Sequence, residues 1–171
     1  MRFQQALAYS ILAVSVALPA SAFAETWKVD TAHASAQFSV KHMMVSNARG
    51  EFSNITGALE LNTKDLSKSA VNIEIDVSSI DTGNEKRDAH LKSADFFDVG
   101  KHPKMTFTST KVKAAGKGKL KVTGNLTMRG VSKPVTLHVE GPTSEVTTPW
   151  GSTVRGVHAT AVIDRKEWGL T

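Results

Sequence analysis

Apolar and polar side chains alternate along much of this chain, with the two-residue period that is typical of β-strands. The alternation is clearest over residues 71–78, where every odd position is apolar and every even position is polar. Strands with one polar and one apolar face belong to antiparallel sheets that cover a core on one side, so we predict an antiparallel all-β fold. The segments that carry the pattern are residues 34–42, 51–61, 71–78, 104–112, 118–128, 135–140 and 155–164.

Turn-forming residues separate these predicted strands. Clusters of Gly, Pro, Asn, Asp and Ser indicate turns at residues 62–69, 114–117, 129–134 and 141–151. The sequence contains no internal repeat, linker or low-complexity tract, which indicates one domain. About seven strands in one small domain are typical of a sandwich or a barrel. The pattern alone does not distinguish the two.

One charged segment breaks the alternation. Thr82 and Glu85 have the spacing of a capping box, in which two side chains satisfy free N–H groups at the start of a helix. We therefore predict one short helix over residues 83–94. Two phenylalanines follow it at positions 96 and 97, and we expect rings of this size to be withdrawn from water.

The N-terminus has the form of a cleavable secretory signal peptide. Arg2 gives a positive start, residues 6–18 are apolar, and a small–x–small pattern ends at Ala24. The apolar stretch is shorter than the about 20 residues that cross a bilayer. We therefore predict cleavage between Ala24 and Glu25 and export to a bacterial periplasm. The predicted parts are a leader, residues 1–24, and a mature domain, residues 25–171.

Composition narrows the chemistry. The absence of cysteine excludes disulfides, thiol catalysis and iron–sulfur clusters. The six histidines of this 171-residue chain are scattered without metal-ligand spacing, so we predict no metal and no other cofactor. The net charge is +5, and residues 111–121 form a basic run without base-stacking aromatic residues, so no nucleic-acid partner is predicted. We interpret this run as a solvated edge protected by lysine, with weak attraction to anionic lipid as the alternative.

Several sequence blocks, taken in order, carry a resemblance to a known family. The longest is RDAHLKSADFFDVGKHPKMTF at residues 87–107, and shorter ones lie at residues 27–33, 38–42, 50–52 and 124–130. Together they resemble the signature of the YceI-like, polyisoprenoid-binding family of exported proteins. The resemblance implies a lipocalin-like antiparallel β-barrel of about eight strands, with the helical segment at one end. A barrel of that size holds packed side chains or one small ligand.

The apolar positions of the strands and the phenylalanine pair form the candidate interior. Alternation alone indicates an ordinary packed core. The resemblance implies instead that these residues line a tunnel for a long isoprenoid or similar lipid. The candidate tunnel residues are Phe38, Val40, Phe52, Ile73, Ile75, Val77, Phe96, Phe97, Met105, Phe107, Leu120, Val122, Leu126 and Met128.

Four polar residues, His42, Arg87, Asp88 and His90, are candidates for the mouth of the tunnel. His42 has the inward parity of its strand, and a buried imidazole needs a partner, either a head group or a backbone carbonyl. Arg87, Asp88 and His90 either pair with one another and fix the helix, contact a head group, or act as acid–base groups. No GxSxG motif accompanies them, so no catalytic residue is predicted.

The leading interpretation is an exported, non-enzymatic carrier or sensor of a long-chain lipid that contacts membranes transiently. Burial of each CH₂ group stabilises such a complex by about 0.8 kcal/mol. The alternatives are a stress-response or structural binding protein with an incidental cavity, and a lipid-modifying enzyme. The resemblance also implies a homodimer.

The C-terminal residues 165–171, RKEWGLT, match a further block of the family. Relatives continue from there for about one more strand and its turn. We therefore expect that this chain is a truncated form in which the eighth strand of the barrel is missing, which would leave strand edges exposed.

Overall fold

The computed structural model describes residues 24–43 and 45–171. The rest of the predicted leader lies outside the described residues, so cleavage between Ala24 and Glu25 stays a prediction. Both of these residues are exposed. Within the described part of the chain, no helix combines the length and apolar character needed to cross a membrane.

Antiparallel strands dominate the structure, and the predicted all-β fold with one short helix is confirmed. The strands are β1 (Glu25–Lys28), β2 (Ala36–His42), β3 (Ser46–Phe52), β4 (Ile55–Leu61), β5 (Ala70–Asp76), β6 (Ile80–Asp81), β7 (Lys104–Ala114), β8 (Lys119–Met128), β9 (Val131–Glu140), β10 (Val146–Thr147), β11 (Thr153–Val154) and β12 (His158–Thr160). The helix α1 spans Glu85–Lys92. Strands β1, β6, β10 and β11 have no counterpart among the strands predicted from the sequence.

The large sheet has seven strands in the order β1-β4-β5-β7-β8-β9-β12, and it curls into a half-barrel. A second sheet has the order β2-β3-β6, and β10 pairs with β11 as a separate hairpin. Within the described residues, β1 and β12 are the outer strands of the large sheet. The barrel predicted from the resemblance is therefore present as a curled sheet with a second sheet beside it.

The curl has a local cause between β7 and β8. The register of this pair shifts between Ser109 and Lys111, which leaves Thr110 as the extra residue of a β-bulge. Bulges bend the strand that carries them and increase the twist of the sheet. On the facing strand, a Cβ on Gly124 would lie 2.5 Å from the Phe107 ring and from the Thr108 carbonyl oxygen. Only glycine allows this approach, and the Phe107 ring covers the bend.

The edge strand β1 also contacts the chain that leads into β12. Trp27 belongs to β1, and Arg155 lies just before β12. The Arg155 guanidinium sits over the Trp27 ring, 5.0 Å from its centroid, in a cation–π contact. The same guanidinium donates to the Thr143 carbonyl at 2.9 Å and pairs with the Glu145 carboxylate. A side-chain contact therefore links β1 to the base of the β10–β11 hairpin.

The apolar residues form two buried clusters inside the curl. One lies at the helix end of the half-barrel, where β7 begins and β8 ends, and the other lies toward the turn between these strands. Leu126 and Leu137 pack against both clusters, so the apolar interior is continuous. The buried members of the first cluster are Phe52, Val77, Ile80, Met105, Met128, Val135, Trp168 and Leu170. Those of the second are Phe107, Val112, Leu120, Val122 and Val139.

The predicted strand at residues 51–61 was wrong, because the chain breaks there into β3 and β4. At the break, Asn54 donates its backbone N–H to the Ser79 hydroxyl at 3.1 Å and its side-chain amide to Asp76 at 3.3 Å. Asn54 is therefore bonded to the turn after β5 instead of continuing a strand. Alternation did not reveal this break, because Phe52 and Ile55 on its two sides are both buried.

Other predicted boundaries also moved. The turn predicted at residues 129–134 consists of Arg129 and Gly130 alone, and Pro134 lies within β9 opposite Asn125. The strand predicted at residues 155–164 is only the three residues of β12. The pattern overestimated the turn because proline marks turns in sequence, although this one sits in a strand.

Asp76 ends β5, so the strand predicted at residues 71–78 stops early. Val77–Ser79 forms a 3₁₀ turn, and the Asp76 carboxylate caps it by accepting from the Ser78 backbone N–H at 2.9 Å and the Ser78 hydroxyl at 2.7 Å. Hydrogen bonds from the Ser78 hydroxyl and amide hold the pKa of Asp76 below the ordinary value for an aspartate. Val77 remains buried, but in the turn and not in a strand.

We predict that Asp76→Ala lowers the free energy of unfolding by about 1 kcal/mol at neutral pH, because a cap is lost. The lowered pKa means that the charged carboxylate stabilises the fold above about pH 4, and that this part is lost as the pH falls through the folded-state pKa. Urea unfolding of wild type and variant at several pH values checks this. Asp76→Asn keeps an acceptor without titrating, so its stability should lack this acid dependence. A constant difference between wild type and Asp76→Ala down to pH 2 would contradict the assignment.

Candidate functional site

The concave side of the half-barrel collects the predicted tunnel residues. All but one of them belong to the two apolar clusters or pack against them. The exception is Val40, which is 37% exposed and lies outside both clusters. Inward parity on β2 is therefore not enough to bury a residue near the end of that strand.

Several members of the interior are only half-buried, which distinguishes them from the packed residues behind them. Their remaining accessible surface makes the concave side apolar, as expected of a site for an apolar ligand. These half-buried residues are Phe38, Ile73, Ile75, Phe96, Phe97, Leu126 and Leu137.

Aromatic rings close the helix end of this interior. The rings of Phe38 and Phe52 lie 5.7 Å apart between centroids, and Phe97 meets Phe52 edge-on, also at 5.7 Å. Phe96 meets the His90 ring edge-on, with 4.9 Å between the ring centroids. The Arg165 guanidinium lies 5.8 Å from the centroid of the Phe96 ring. The phenylalanine pair after the helix is half-buried and joins α1 to the core.

The start of α1 differs from the predicted capping box. The N-cap is Asn84, whose side-chain oxygen accepts from the Arg87 backbone N–H at 3.0 Å. Thr82 has a different role, because its backbone N–H and its hydroxyl both donate to the Asp88 carboxylate. The capping-box prediction was wrong because asparagine, two residues later, is an equally good N-cap.

Arg87 and Asp88 meet on Thr82 and not on each other. The Arg87 guanidinium donates to the Thr82 hydroxyl at 2.7 Å and to the Thr82 carbonyl at 2.8 Å. Thr82 also lies close to β3, where a Cβ on Gly50 would lie 2.7 Å from its methyl group. Arg87 and Asp88 therefore fix α1 to the chain before it. They do so through a shared threonine and not, as one alternative expected, by pairing with each other.

The two histidines of the predicted mouth lie on different elements. His90 is on α1, and its Nε2 lies 3.4 Å from the Asp95 carboxylate with 59% of the side chain exposed. His42 ends β2 opposite Ser46, and its side chain lies outside what the structure describes. Arg87, Asp88 and His90 are thus grouped by one helix. Their contact with a head group stays a prediction, as does that of His42.

The C-terminal turn supplies core residues that the sequence analysis missed. Trp168 is 2% exposed, and its indole N–H donates to the Leu126 carbonyl at 3.1 Å. Arg129 donates to the Gly169 carbonyl and, at 2.8 Å, to the Ala94 carbonyl, so it ties this turn to the segment after α1. The available signal was Trp168 itself, because a large apolar side chain outside the predicted strands indicates a further buried segment. The partners of Arg129 lie 35 and 40 residues away, which no local pattern reveals.

Across residues 24–43 and 45–171, no three His, Asp or Glu side chains converge as a metal ion would require. The site is defined by apolar surface and by hydrogen bonds that position one helix.

A half-barrel with an apolar concave side and one short helix at its end belongs to the class of lipocalin-like antiparallel β folds. Residues 27–171 match the YceI-like domain, so the chain belongs to the YceI-like family. The resemblance of the sequence blocks is confirmed.

Named relatives agree with this membership. A UPF0312 protein of Vibrio parahaemolyticus is 39% identical over 163 residues, which cover 93% of this chain and 85% of that protein. Protein YceI of Salmonella newport is 39% identical over 153 residues, 88% of this chain and 79% of that one. Among solved structures, the YCEI protein of Campylobacter jejuni has a TM-score of 0.67 at 31% identity, over 83% of this chain and 82% of its own. BcnA of Burkholderia cenocepacia has a TM-score of 0.71 at 26% identity, over 83% and 84%.

We predict that Thr82→Val destabilises the protein by about 1–3 kcal/mol, because the half-buried Asp88 carboxylate loses a donor and Arg87 loses an acceptor. Thr108→Val on the outer side of β7 is the matched control, since Thr108 is exposed. Thermal unfolding compares the two. Equal midpoints for both variants would show that Thr82 does not hold the helix.

Proposed function

We propose that this protein is an exported, periplasmic, non-enzymatic binding protein that holds one long-chain isoprenoid or similar lipid as a carrier or sensor. The observation that carries the proposal is the continuous apolar interior, in which Leu126 and Leu137 join the two clusters. Membership of the YceI-like family supports the proposed binding function. Export rests on the leader pattern of the sequence.

The shape of the interior favours a long ligand. Strand β7 contributes Met105 to the first cluster and Val112 to the second. At about 3.3 Å per residue, these positions lie roughly 20 Å apart along the strand. A ligand that covers this length buries many CH₂ groups, each worth about 0.8 kcal/mol. Binding then needs apolar length and a few polar contacts at one end.

The helix end is the side on which a polar head group fits. Arg87 is exposed although two of its nitrogens already bond to Thr82, which leaves donors of the guanidinium for a ligand. A lipid carrier also has to collect and release its cargo, so transient membrane contact is part of the proposal. A homodimer is the further expectation that the family resemblance implies.

A second candidate is a structural or stress-response binding protein whose cavity is incidental. The contacts among Phe38, Phe52 and Phe97 favour it, because rings packed on each other leave little room between them. Organic extraction of the purified protein, followed by native mass spectrometry, separates the two. A stoichiometric long-chain lipid supports the carrier or sensor. A lipid-free protein that also does not bind added polyprenol supports the incidental cavity. Turnover of such a lipid would show instead that the protein is an enzyme.

We predict that Leu126→Trp blocks lipid uptake while the protein stays folded, because Leu126 is the half-buried junction of the two clusters. Val131→Trp is the matched control, because Val131 is 38% exposed at the start of β9 and belongs to neither cluster. Native mass spectrometry measures bound lipid and circular dichroism measures folding. A Leu126→Trp protein that is folded and still loaded with lipid would contradict the proposed position of the ligand.

We predict that Arg87→Ala weakens binding of a prenyl phosphate more than of the matching prenol. A hydrogen bond to a charged group contributes about 1.5–3 kcal/mol, which only the phosphate would lose. Competition binding with the two lipids measures the difference. Equal losses of affinity for the two lipids would show that Arg87 only fixes α1 through Thr82 and does not contact the head group.

A further inference from the structure

The outer side of β7 and β8 carries lysines that the proposed binding site does not use. Lys111 and Lys113 point outward on β7, Lys119 and Lys121 do so on β8, and Lys117 lies in the turn between the strands. We call these five residues the lysine face. Within the described residues, Lys119 alone of the five forms a salt bridge, to Glu140 at 3.1 Å.

One opposed pair within the lysine face is unfavourable for stability. Lys113 and Lys121 stand directly opposite each other in the β7–β8 register. Like charges at opposed positions of an antiparallel pair are destabilising. Among the described residues outside the face, four lysines pair with acids, for example Lys104 with Glu74 at 2.7 Å. An anionic surface placed against this face would relieve the repulsion.

A tryptophan is exposed on the neighbouring hairpin. Trp150 lies in the turn between β10 and β11 and is 84% exposed. Two backbone hydrogen bonds close the turn: the Thr148 N–H donates to the Ser152 carbonyl at 2.8 Å, and the Gly151 N–H donates to the Thr148 carbonyl at 2.9 Å. An indole combines an apolar body with one N–H donor, which suits the boundary between water and lipid.

The lysine face and this hairpin are anchored at the same end of the half-barrel, opposite α1. Gly141 donates its backbone N–H to the Gly118 carbonyl at 2.9 Å, which fixes the chain entering the hairpin beside the β7–β8 turn. Arg155 lies on the chain that leaves the hairpin, and its guanidinium donates to the Thr143 carbonyl at 2.9 Å. It also lines a cavity of about 210 Å³ together with Gly116 and Gly118. Two acids at this end are already paired, Glu140 with Lys119 and Glu145 with Arg155.

We propose that this end of the protein docks on an anionic phospholipid bilayer. The lysine face lies over the head groups, and Trp150 enters the interfacial layer. Each lysine near such a surface strengthens binding about five-fold, an attraction that salt screens. The proposal deepens the proposed lipid-binding function and rests on it for its purpose, because a carrier needs a place to meet its membrane.

The test is co-sedimentation of the purified protein with phosphatidylcholine vesicles, with and without phosphatidylglycerol. We expect binding only to the anionic vesicles, with loss at high salt. Lys113→Gln with Lys121→Gln should weaken it about 25-fold, following the contribution of each lysine. Lys86→Gln with Lys92→Gln makes the same charge change on α1 and should have little effect. Trp150→Ala should weaken binding and remove the blue shift of tryptophan fluorescence that vesicles cause.

The outcomes separate this proposal from the lipid-binding function. Equal losses for the two double variants would show that only net charge matters and would overturn the docking surface, as would absence of binding to anionic vesicles. The lysine-face variant should keep any lipid that extraction finds in the wild type. A protein that binds anionic vesicles but yields and accepts no isoprenoid would keep the docking surface and reject the carrier.

Discussion

The curl of the seven-stranded sheet determines where the apolar core and the edge strand β1 lie. It is made where the bulge at Thr110 faces Gly124, and the Phe107 ring packs onto the space that a side chain at Gly124 would fill. The bend turns the inner sides of β5, β7, β8 and β9 toward one another. It also brings the edge strand β1 within reach of Arg155 on the other side. A flat sheet of the same sequence would spread these apolar residues over an open surface.

The two ends of the curled sheet are completed in different ways. At one end, α1 and the C-terminal turn are tied together by Arg129, and Trp168 fills the core beneath them. At the other, Arg155 links Trp27 to the base of the β10–β11 hairpin. The helix end presents polar groups and rings, and the opposite end presents lysines and an exposed indole. The proposed head-group contact and the proposed membrane contact therefore lie at opposite ends.

Much of the interior could be predicted because strand periodicity reports directly on burial. Alternation placed Ile73, Ile75 and Phe107 correctly without knowledge of the topology. It did not find the break at Asn54, since the polar contacts that cause it come from residues more than 20 positions away. Arg129 and Arg155 were missed for the same reason. Burial of one strand face produces a periodic pattern in the sequence. Long-range hydrogen bonds and cation–π contacts produce no such pattern.

If the half-buried side chains of the concave surface form a lipid site, a bound lipid will change the surroundings of their methyl groups. Methyl NMR spectra recorded with and without a long-chain polyprenol detect this change. We expect shifts for the methyl groups of Ile73, Ile75 and Leu126, and little change for Ile55 and Leu61, which are buried outside the two clusters. Unchanged spectra at the first three residues, or shifts confined to the outer surface, would contradict it.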